Sequence, residues 1–287
     1  MQNKIVLITG GTGGIGKQTA LALAKMGAHI IITGRSKSSG EEAIAKIKQA
    51  SGNPKVDLLI GDLSAQVNVH SLAGQFNVKY DRLDVLINNA GLASSKKELT
   101  ADGIESNFAV NVVAPFLLTH LLMDSLNASP AARVINLMGG DVPAKLDMDN
   151  LQSERSFDGL NTYSQTKLAM MAVMYEFAQR TKGVTINVCY PGQASTRMTQ
   201  SVTPEMFPTA MQFIFPIFKW MTRPDGGKSA AKASRSSVYL SSSQDVEGIS
   251  GKYFDANSRL VEWPPAVLGT DIREKLWETV ERLAHIA

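Results

Sequence analysis

Hydrophobic residues along this 287-residue chain come in short continuous runs, and each run is followed by a longer stretch with the periodicity of a helix. Within the runs apolar and polar positions do not alternate, which is typical of parallel strands covered on both faces. The pattern predicts seven strands, at Lys4–Thr9, Ala28–Thr33, Val56–Gly61, Leu83–Asn88, Arg133–Met138, Thr185–Tyr190 and Lys252–Asp255. It predicts helices at Gly14–Met26, Gly40–Ala50, Ser64–Phe76, Ala101–Asn127, Thr162–Thr181, Asp225–Ser241 and Thr270–Ala287.

Strands and helices alternate through residues 1–287, which predicts one α/β domain rather than two. The expected architecture is a doubly wound, mostly parallel seven-stranded sheet with helices on both faces. Two connections are long, at residues 139–161 and 191–224. In such a sheet, the loops that follow the carboxyl ends of strands form the ligand crevice, so both connections should border a site.

The composition is that of a globular protein, with 44% hydrophobic and 19% charged residues. A net charge of +3 without a dense basic cluster argues against a nucleic-acid partner. Cys189 is the only cysteine and the four histidines lack ligand spacing, so no disulfide and no metal site are expected. No signal peptide and no long apolar run are evident, which predicts a cytoplasmic protein without a transmembrane segment.

A glycine cluster stands between the first predicted strand and helix, at Thr9–Gly16. It fits Gly-x-Gly-x-x-Gly and also Thr-Gly-x-x-x-Gly-x-Gly. Glycines let the backbone approach a phosphate, and the helix N-terminus offers free amides. A simple tight turn is the alternative, but the position of the cluster favours a Rossmann dinucleotide site. The residues predicted to contact the dinucleotide here are Gly10, Thr12, Gly13, Gly14, Ile15, Gly16 and Lys17.

The second predicted strand ends in Arg35 and Ser36, and no Asp or Glu occurs between Ala28 and Gly40. An acidic residue at this place would accept the ribose hydroxyls of NAD, whereas a guanidinium suits a 2′-phosphate. Lys17 lies in a first helical turn, where the dipole disfavours a cation unless an anion is near, although it could also extend into solvent. The sequence therefore favours NADPH over NADH.

Tyr163 and Lys167 are four residues apart, which places both side chains on one helix face. An ammonium at that distance is expected to lower the pKa of the phenol and make it a usable acid near neutral pH. The same spacing is common on solvated helices. The glycine cluster far upstream favours the chemical interpretation.

Several further motifs follow in a characteristic order: Asp62-Leu63, Asn88-Asn89-Ala90-Gly91, Asn111, Tyr163-x-x-x-Lys167 and Pro191-Gly192 with Thr196. Together with the glycines, they make the chain resemble the short-chain dehydrogenase/reductase family over nearly its full length. The stretches Leu99–Phe116 and Glu247–Phe254 resemble the branch that contains retinol dehydrogenases and the WW-domain oxidoreductase.

The resemblance implies hydride transfer between a nicotinamide and a carbonyl, with Tyr163 as the acid or base. Lys167 would lower the phenol pKa and bind the ribose, and Asn111 would hold a water. The adenine end would contact Asp62, Leu63, Asn89, Ala90 and Gly91, and the nicotinamide amide would contact Pro191, Gly192 and Thr196. Homodimers or homotetramers are common in the family.

The chain departs from the family at Gly139, which occupies the position of the usual catalytic serine. Loss of such a donor typically costs ~2.7–4 kcal/mol of transition-state stabilisation. Another donor could substitute, namely the Gly140 amide, Ser153 or Ser156. Alternatively, the substrate could carry its own activating group, or the chain could be an NADP(H)-binding regulatory or scaffold protein with weak catalysis. The working reductase is the preferred interpretation because Tyr163, Lys167 and Asn111 remain.

The most aromatic stretch of the chain lies in the last long connection, at Met206–Met221. In the family, a segment at about 196–224 covers the substrate. The predicted lid implies a hydrophobic small-molecule substrate, through Phe207, Phe213, Phe215, Phe218 and Trp220. Core packing is the alternative for each single residue. Contact with a membrane surface is a third, which Pro208 and Pro216 disfavour because they interrupt a long helix.

Overall fold

The computed structural model describes residues 1–207 and 209–286, and its centre is a mostly parallel sheet. Eight strands form this sheet in the order β3-β2-β1-β4-β5-β6-β7-β8. Their bounds are Ile5–Ile8 (β1), His29–Gly34 (β2), Val56–Ile60 (β3), Val85–Asn88 (β4), Ala132–Leu137 (β5), Val184–Cys189 (β6), Tyr253–Phe254 (β7) and Leu260–Val261 (β8). The doubly wound single domain is confirmed. The predicted number of seven strands was wrong, because the sheet contains an eighth strand, β8. This antiparallel strand has only two residues and is too short to produce a hydrophobic pattern.

The helices lie on both faces of the sheet, as predicted. Those in the first half are Gly14–Lys25 (α1), Lys37–Ser51 (α2), Gln66–Lys79 (α3), Ser106–Phe108 (α4), Ala114–Leu121 (α5) and Met123–Asn127 (α6). Those in the second half are Gly159–Arg180 (α7), Arg197–Gln200 (α8), Phe215–Met221 (α9), Lys228–Ser242 (α10), Pro265–Leu268 (α11) and Thr270–Leu283 (α12). Among the described helices, none has both the length and the low polarity that a bilayer span requires.

Two apolar layers hold the helices to the sheet. One buried cluster joins α3, α5, α7 and α12 to one face, and it contains Phe76, Phe116 and Trp277. The other joins α1, α2 and α10 to the opposite face. Because the central strands are covered on both sides, their side chains are buried at nearly every position, which explains the uninterrupted apolar runs.

The predicted helix at Ala101–Asn127 is in fact a series of shorter helical segments. It begins only at Ser106, because the buried carboxylate of Glu105 accepts hydrogen bonds from the backbone amides of Asn107 at 3.0 Å and Phe108 at 2.9 Å. A π-helical turn, Ala109–Val113, then separates α4 from α5. Such turns insert one extra residue into a helix and are frequent at functional sites.

A buried carboxylate fixes the amino end of the sheet, opposite the glycine cluster. Asp84 is 1% exposed, and its oxygens accept hydrogen bonds from Lys4 Nζ at 3.0 Å, the Ile5 amide at 2.8 Å and Ser129 Oγ at 2.7 Å. Burial alone raises the pKa of Asp84, but these hydrogen bonds lower it more, so the net pKa lies below the usual value. Asp84 therefore ties β1 and the segment before β5 to the start of β4.

Replacing Asp84 with alanine is expected to lower the free energy of unfolding by about 3 kcal/mol, because it leaves the Ile5 amide and Lys4 without their partner. The native pKa is below the unfolded one, so this contribution is present above about pH 4 and is lost as the pH falls. Urea denaturation at neutral and acidic pH measures both effects. Asp81→Ala, which changes an exposed neighbour, is the control. Equal stabilities of the two variants at neutral pH would contradict the prediction.

Candidate functional site

The predicted site residues converge on the edge of the sheet where β1, β4, β5 and β6 end. Thr9 follows β1 and accepts, through Oγ1, hydrogen bonds from the amides of Asn89 and Ala90, both at 3.0 Å. Asn89 Nδ2 in turn donates to the carbonyl oxygens of Thr9 at 2.8 Å and Gly10 at 3.2 Å. Side chains from the ends of two adjacent strands thus fix the first turn of the glycine cluster.

The glycine cluster needs its glycines for two different reasons. Gly10 and Gly14 have φ of +66° and +52°, a region in which L side chains are strained. A Cβ at Gly16 would lie 2.5 Å from Asn89 Nδ2, so only glycine allows that contact. A Cβ at Gly13 would meet no atom within 4 Å, so this side of the loop is open. The open backbone at the start of α1 fits a phosphate cradle.

The other predicted residues of the cluster support it by packing. Thr12 lies against Gly34, where a Cβ would come within 2.5 Å of Thr12 Cγ2. Ile15 packs on a small apolar cluster with Ala194 and Ala230. Lys17 is half-buried in the first turn of α1, which contains no acidic residue.

The end of β2 presents a cation and a helix N-terminus next to the cluster. Ser36 caps α2, and its side chain accepts a hydrogen bond from the Ser39 amide. Arg35 is exposed, and within the described residues its guanidinium forms no ion pair. The first turn of α2 also contains no acidic residue. This combination fits an anionic group such as a 2′-phosphate.

The adenine-side residues predicted from the family resemblance line the next strand ends. The side chain of Asp62 accepts a hydrogen bond from the Ser64 amide at 3.0 Å, which turns the chain after β3. Leu63 packs against the larger apolar layer. Asn88 Nδ2 donates to Asn136 Oδ1 at 2.8 Å and so joins β4 to β5.

Tyr163 and Lys167 both lie on α7 and are buried, with 6% and 5% of their surface exposed. Lys167 Nζ lies 6.0 Å from the centre of the Tyr163 ring and donates to the Leu137 carbonyl oxygen at 3.1 Å. The spacing in the sequence therefore does bring the ammonium and the phenol to one place. Lys167 also reaches across to the end of β5.

Asn111 holds the loop after β4 against α7. Its Oδ1 accepts from the Leu92 amide at 2.9 Å, and its Nδ2 donates to the Leu92 carbonyl oxygen at 2.8 Å and to Thr166 Oγ1 at 2.9 Å. A Cβ at Gly91 would lie 3.4 Å from Asn111 Oδ1 and 3.5 Å from Lys167 Nζ. Gly91 thus leaves room beside both polar groups. The water predicted at Asn111 stays a prediction.

The predicted lowering of the Tyr163 pKa by Lys167 was wrong for this arrangement of side chains. Burial raises the pKa of Tyr163 well above its usual value, and ionisation of Tyr190 would raise it further. Burial also lowers the pKa of Lys167 to about 8. The reason is physical: within the described residues, no donor stabilises the phenolate, and both groups are out of water.

Gly139 lies directly beneath the phenol. A Cβ placed on it would overlap the Tyr163 hydroxyl oxygen, so Tyr163 occupies the space that a serine side chain would need. Of the predicted substitutes for the serine, Ser156 is exposed, and Ser153 Oγ is buried without a partner in the described residues. The Ser153 carbonyl oxygen accepts a hydrogen bond from Lys97 Nζ at 2.7 Å. The substitution of the serine by either hydroxyl stays a prediction.

The turn after β6 passes over the glycine cluster. Pro191 is buried, and Gly192 has φ of +83°. Thr196 caps α8 through reciprocal hydrogen bonds with Thr199. A Cβ placed on Gly14 would lie 3.0 Å from Thr196 Cγ2, so the two residues are neighbours. The segment predicted to hold the nicotinamide amide therefore lies against the glycine cluster.

The predicted lid has a packed inner face and an exposed outer face. Phe207, Phe215 and Phe218 form an aromatic cluster, in which the ring centre of Phe207 lies 6.0 Å from that of Phe215 and 5.4 Å from that of Phe218. This cluster packs on Leu160 and Ala93. Phe213 and Trp220 on the outer face are 78% and 64% exposed, and their place over a substrate stays a prediction.

Of the two prolines expected to interrupt this segment, Pro216 stands in the first turn of α9, where proline is compatible with a helix. Pro208 lies outside the described residues.

Sequence reasoning missed two residues of this site. Thr9 was seen only as the start of the glycine motif, although its hydroxyl holds the turn after β4. Tyr190 was assigned to a strand, although it follows β6 directly and packs, half-buried, against the apolar cluster that contains α7. The position of Tyr190 directly before Pro191-Gly192 could have indicated its place in the site, because residues at the carboxyl end of a strand face the crevice.

A sequence model described as short chain dehydrogenase matches residues 4–206. The chain belongs to the short-chain dehydrogenase family. Retinol dehydrogenase 13 of Mus musculus is 34% identical over 289 residues, which covers 99% of this chain and 84% of the relative. Polyprenol dehydrogenase of Homo sapiens is 32% identical over 286 residues, which covers 96% of this chain and 83% of that relative. These matches support the retinol-dehydrogenase-like branch.

Solved structures give the same fold. A protein from Mycobacterium paratuberculosis superposes with a TM-score of 0.76 at 23% identity, over 99% of this chain and 94% of that one. A short-chain dehydrogenase from Shigella flexneri, solved in complex with NADP, has a TM-score of 0.67 at 25% identity, over 90% and 98%. Within residues 1–207 and 209–286, no group of three or more His, Cys, Asp or Glu side chains could hold a metal ion.

Gly139→Ala should lower nicotinamide-linked turnover, because the added methyl group displaces the Tyr163 hydroxyl. A displacement of about 1 Å of a catalytic group can cost ~100-fold in rate. The matched control is Gly74→Ala in α3, where a Cβ meets nothing within 4 Å and φ is not positive. Steady-state kinetics and thermal melting of both variants measure the effect. If Gly139→Ala keeps wild-type turnover, the Tyr163 hydroxyl does not need a glycine at residue 139, and the prediction is wrong.

Proposed function

We propose that the chain is an NADPH-dependent oxidoreductase that reduces a carbonyl group of a hydrophobic small molecule, or oxidises the corresponding alcohol. The observation that carries this proposal is the buried Tyr163–Lys167 pair, which shares one sheet edge with the open glycine cluster. Both groups needed for proton transfer thus lie beside a place where a dinucleotide fits. Membership of the family supplies the reaction class.

The residues fit an NADP(H) cofactor. Gly13 and Gly14 at the start of α1 would hold the pyrophosphate, Arg35 and Ser36 the 2′-phosphate, and Lys167 the nicotinamide ribose. The cofactor supplies or accepts the hydride. The NADP complex of the Shigella flexneri relative, at 25% identity, supports the same choice.

Tyr163 transfers the proton. In reduction its hydroxyl donates to the carbonyl oxygen, and in oxidation the phenolate removes the alcohol proton, as microscopic reversibility requires. The raised pKa keeps Tyr163 protonated at neutral pH, which suits the acid role. Asn111 orients α7 through Thr166, three residues after Tyr163, and so holds the phenol in place.

The inner face of the lid favours a hydrophobic substrate. Phe207, Phe215 and Phe218 pack against Leu160, three residues before Tyr163, so apolar groups approach the reacting hydroxyl. The names of the relatives, retinol and polyprenol dehydrogenases, agree with a lipophilic alcohol or aldehyde. The homodimeric or homotetrameric state and the cytoplasmic location stay predictions of the sequence.

The proposal is tested by NADPH consumption with a panel of lipophilic aldehydes, ketones and enones. We expect turnover with the wild-type chain, and Tyr163→Phe should lose ~100- to 10,000-fold in kcat because the proton donor is gone. Tyr175→Phe, which removes a phenol elsewhere on the same helix, is the matched control and should behave as the wild type. NADPH binding without turnover across the panel would instead favour the regulatory or scaffold role.

The cofactor preference is tested by Arg35→Ala. Loss of a charge-assisted bond worth ~1.5–3 kcal/mol should raise the KM for NADPH about 10- to 100-fold and leave the KM for NADH unchanged. Lys55→Ala removes a cation before β3, at the opposite edge of the sheet, and serves as the control. Equal affinities of the wild-type chain for both cofactors would overturn the preference for NADPH.

A further inference from the structure

The glycine at position 139 leaves the substrate oxygen with a single identified donor, the Tyr163 hydroxyl. Other members of the family polarise that oxygen with a second hydroxyl. Removing one such donor typically costs ~2.7–4 kcal/mol, or about 100- to 1,000-fold in rate. A serine at this position would require the phenol to shift, because a Cβ on residue 139 overlaps the Tyr163 hydroxyl oxygen. A working enzyme therefore needs a donor from another element.

Tyr190 is the first residue after β6, and it lies next to the end of β5. The two strands pair in parallel up to Leu137 and Cys189, and the Met138 amide then donates to the Cys189 carbonyl oxygen at 2.8 Å. This register sets Tyr190 beside Met138, one residue before Gly139. The Tyr190 amide donates to the Phe254 carbonyl oxygen at 2.8 Å, which fixes its backbone.

The Tyr190 side chain projects to the face of the sheet that carries α7. It packs against the apolar cluster that contains Met138 and the buried residues of α7, and it is half-buried. Its phenolic oxygen has no hydrogen-bond partner within the described part of the chain. Tyr80 and Tyr239, by contrast, donate to Asp57 and Asp245.

Electrostatics agree with this placement. An ionised Tyr190 would raise the pKa of Tyr163, which indicates that the two phenols lie within electrostatic range of each other. Burial, and then the carboxylate of Asp141, raise the pKa of Tyr190 itself. Tyr190 therefore keeps its proton at neutral pH and can act as a donor, which an ionised carboxylate such as Asp141 cannot.

We propose that Tyr190 donates the second hydrogen bond to the substrate oxygen, in the role that a serine at position 139 would have. This inference rests on the proposed reductase function. In reduction, the hydride passes from the nicotinamide to the carbonyl carbon and the proton passes from Tyr163 to the oxygen. Tyr190 keeps its own proton and stabilises the negative charge that develops on that oxygen.

Tyr190→Phe removes only the hydroxyl and tests the role directly. We expect kcat to fall about 100- to 1,000-fold, with the KM for NADPH and the thermal midpoint unchanged. The matched control is Tyr253→Phe on the neighbouring β7, whose ring stacks on Trp263 at 5.6 Å. Tyr253→Phe should retain wild-type kcat. A wild-type kcat in Tyr190→Phe, or equal losses in both variants, would overturn the proposal.

A substrate series separates polarisation of the oxygen from a structural effect. Carbonyl compounds with electron-withdrawing substituents need less help from a donor, so the loss in Tyr190→Phe should shrink along the series. A loss that is the same for every substrate would indicate a structural role and overturn the proposal, whatever its size. Ser164→Ala is a further comparison, since Ser164 Oγ would lie 3.1 Å from a Cβ on Gly140. A loss there instead of at Tyr190 would assign the donor to Ser164.

The test is independent of the proposed function itself. If the wild-type chain turns over carbonyl substrates and Tyr163→Phe does not, the function stands even when Tyr190→Phe is fully active. If neither the wild type nor any variant shows turnover, the reductase function fails, and the inference about Tyr190 fails with it.

Discussion

The amide of Asn111 is the contact on which the site depends. It bonds both backbone groups of Leu92, after β4, and the hydroxyl of Thr166 on α7. Within residues 1–207 and 209–286, no other side-chain hydrogen bonds join the loop after β4 to the helix that carries Tyr163 and Lys167. Asn111 lies inside the π-helical turn Ala109–Val113, and such turns are frequent at functional sites.

The same edge of the sheet shows how a close contact limits the chemistry that is available. The Tyr163 hydroxyl occupies the space that a Cβ on Gly139 would take, and burial raises the pKa of the phenol. In the proposed reaction, the second polarising hydrogen bond would come from a neighbouring strand end. In a parallel sheet all carboxyl ends share one edge, so β6 can supply through Tyr190 what β5 does not.

The fold was largely predictable from the sequence, because fully buried strands such as β1, β2 and β6 appear as apolar runs without interruption. The motif residues were predictable because their spacing reflects local backbone geometry. What failed depended on long-range burial. The burial of the Glu105 carboxylate and the raised pKa of Tyr163 both result from packing between distant segments, which no local pattern records.

The charge balance around Tyr163 bears on the direction of the reaction. Burial raises the pKa of the phenol and lowers that of Lys167 to about 8, so both shifts disfavour a charged pair. In the proposed reaction, these shifts suit the acid role of Tyr163 better than its base role. The base role needs a further positive charge near the hydroxyl. An oxidised nicotinamide ring carries such a charge and a reduced ring does not, so the oxidation state of the ring would match the role of the tyrosine in each direction.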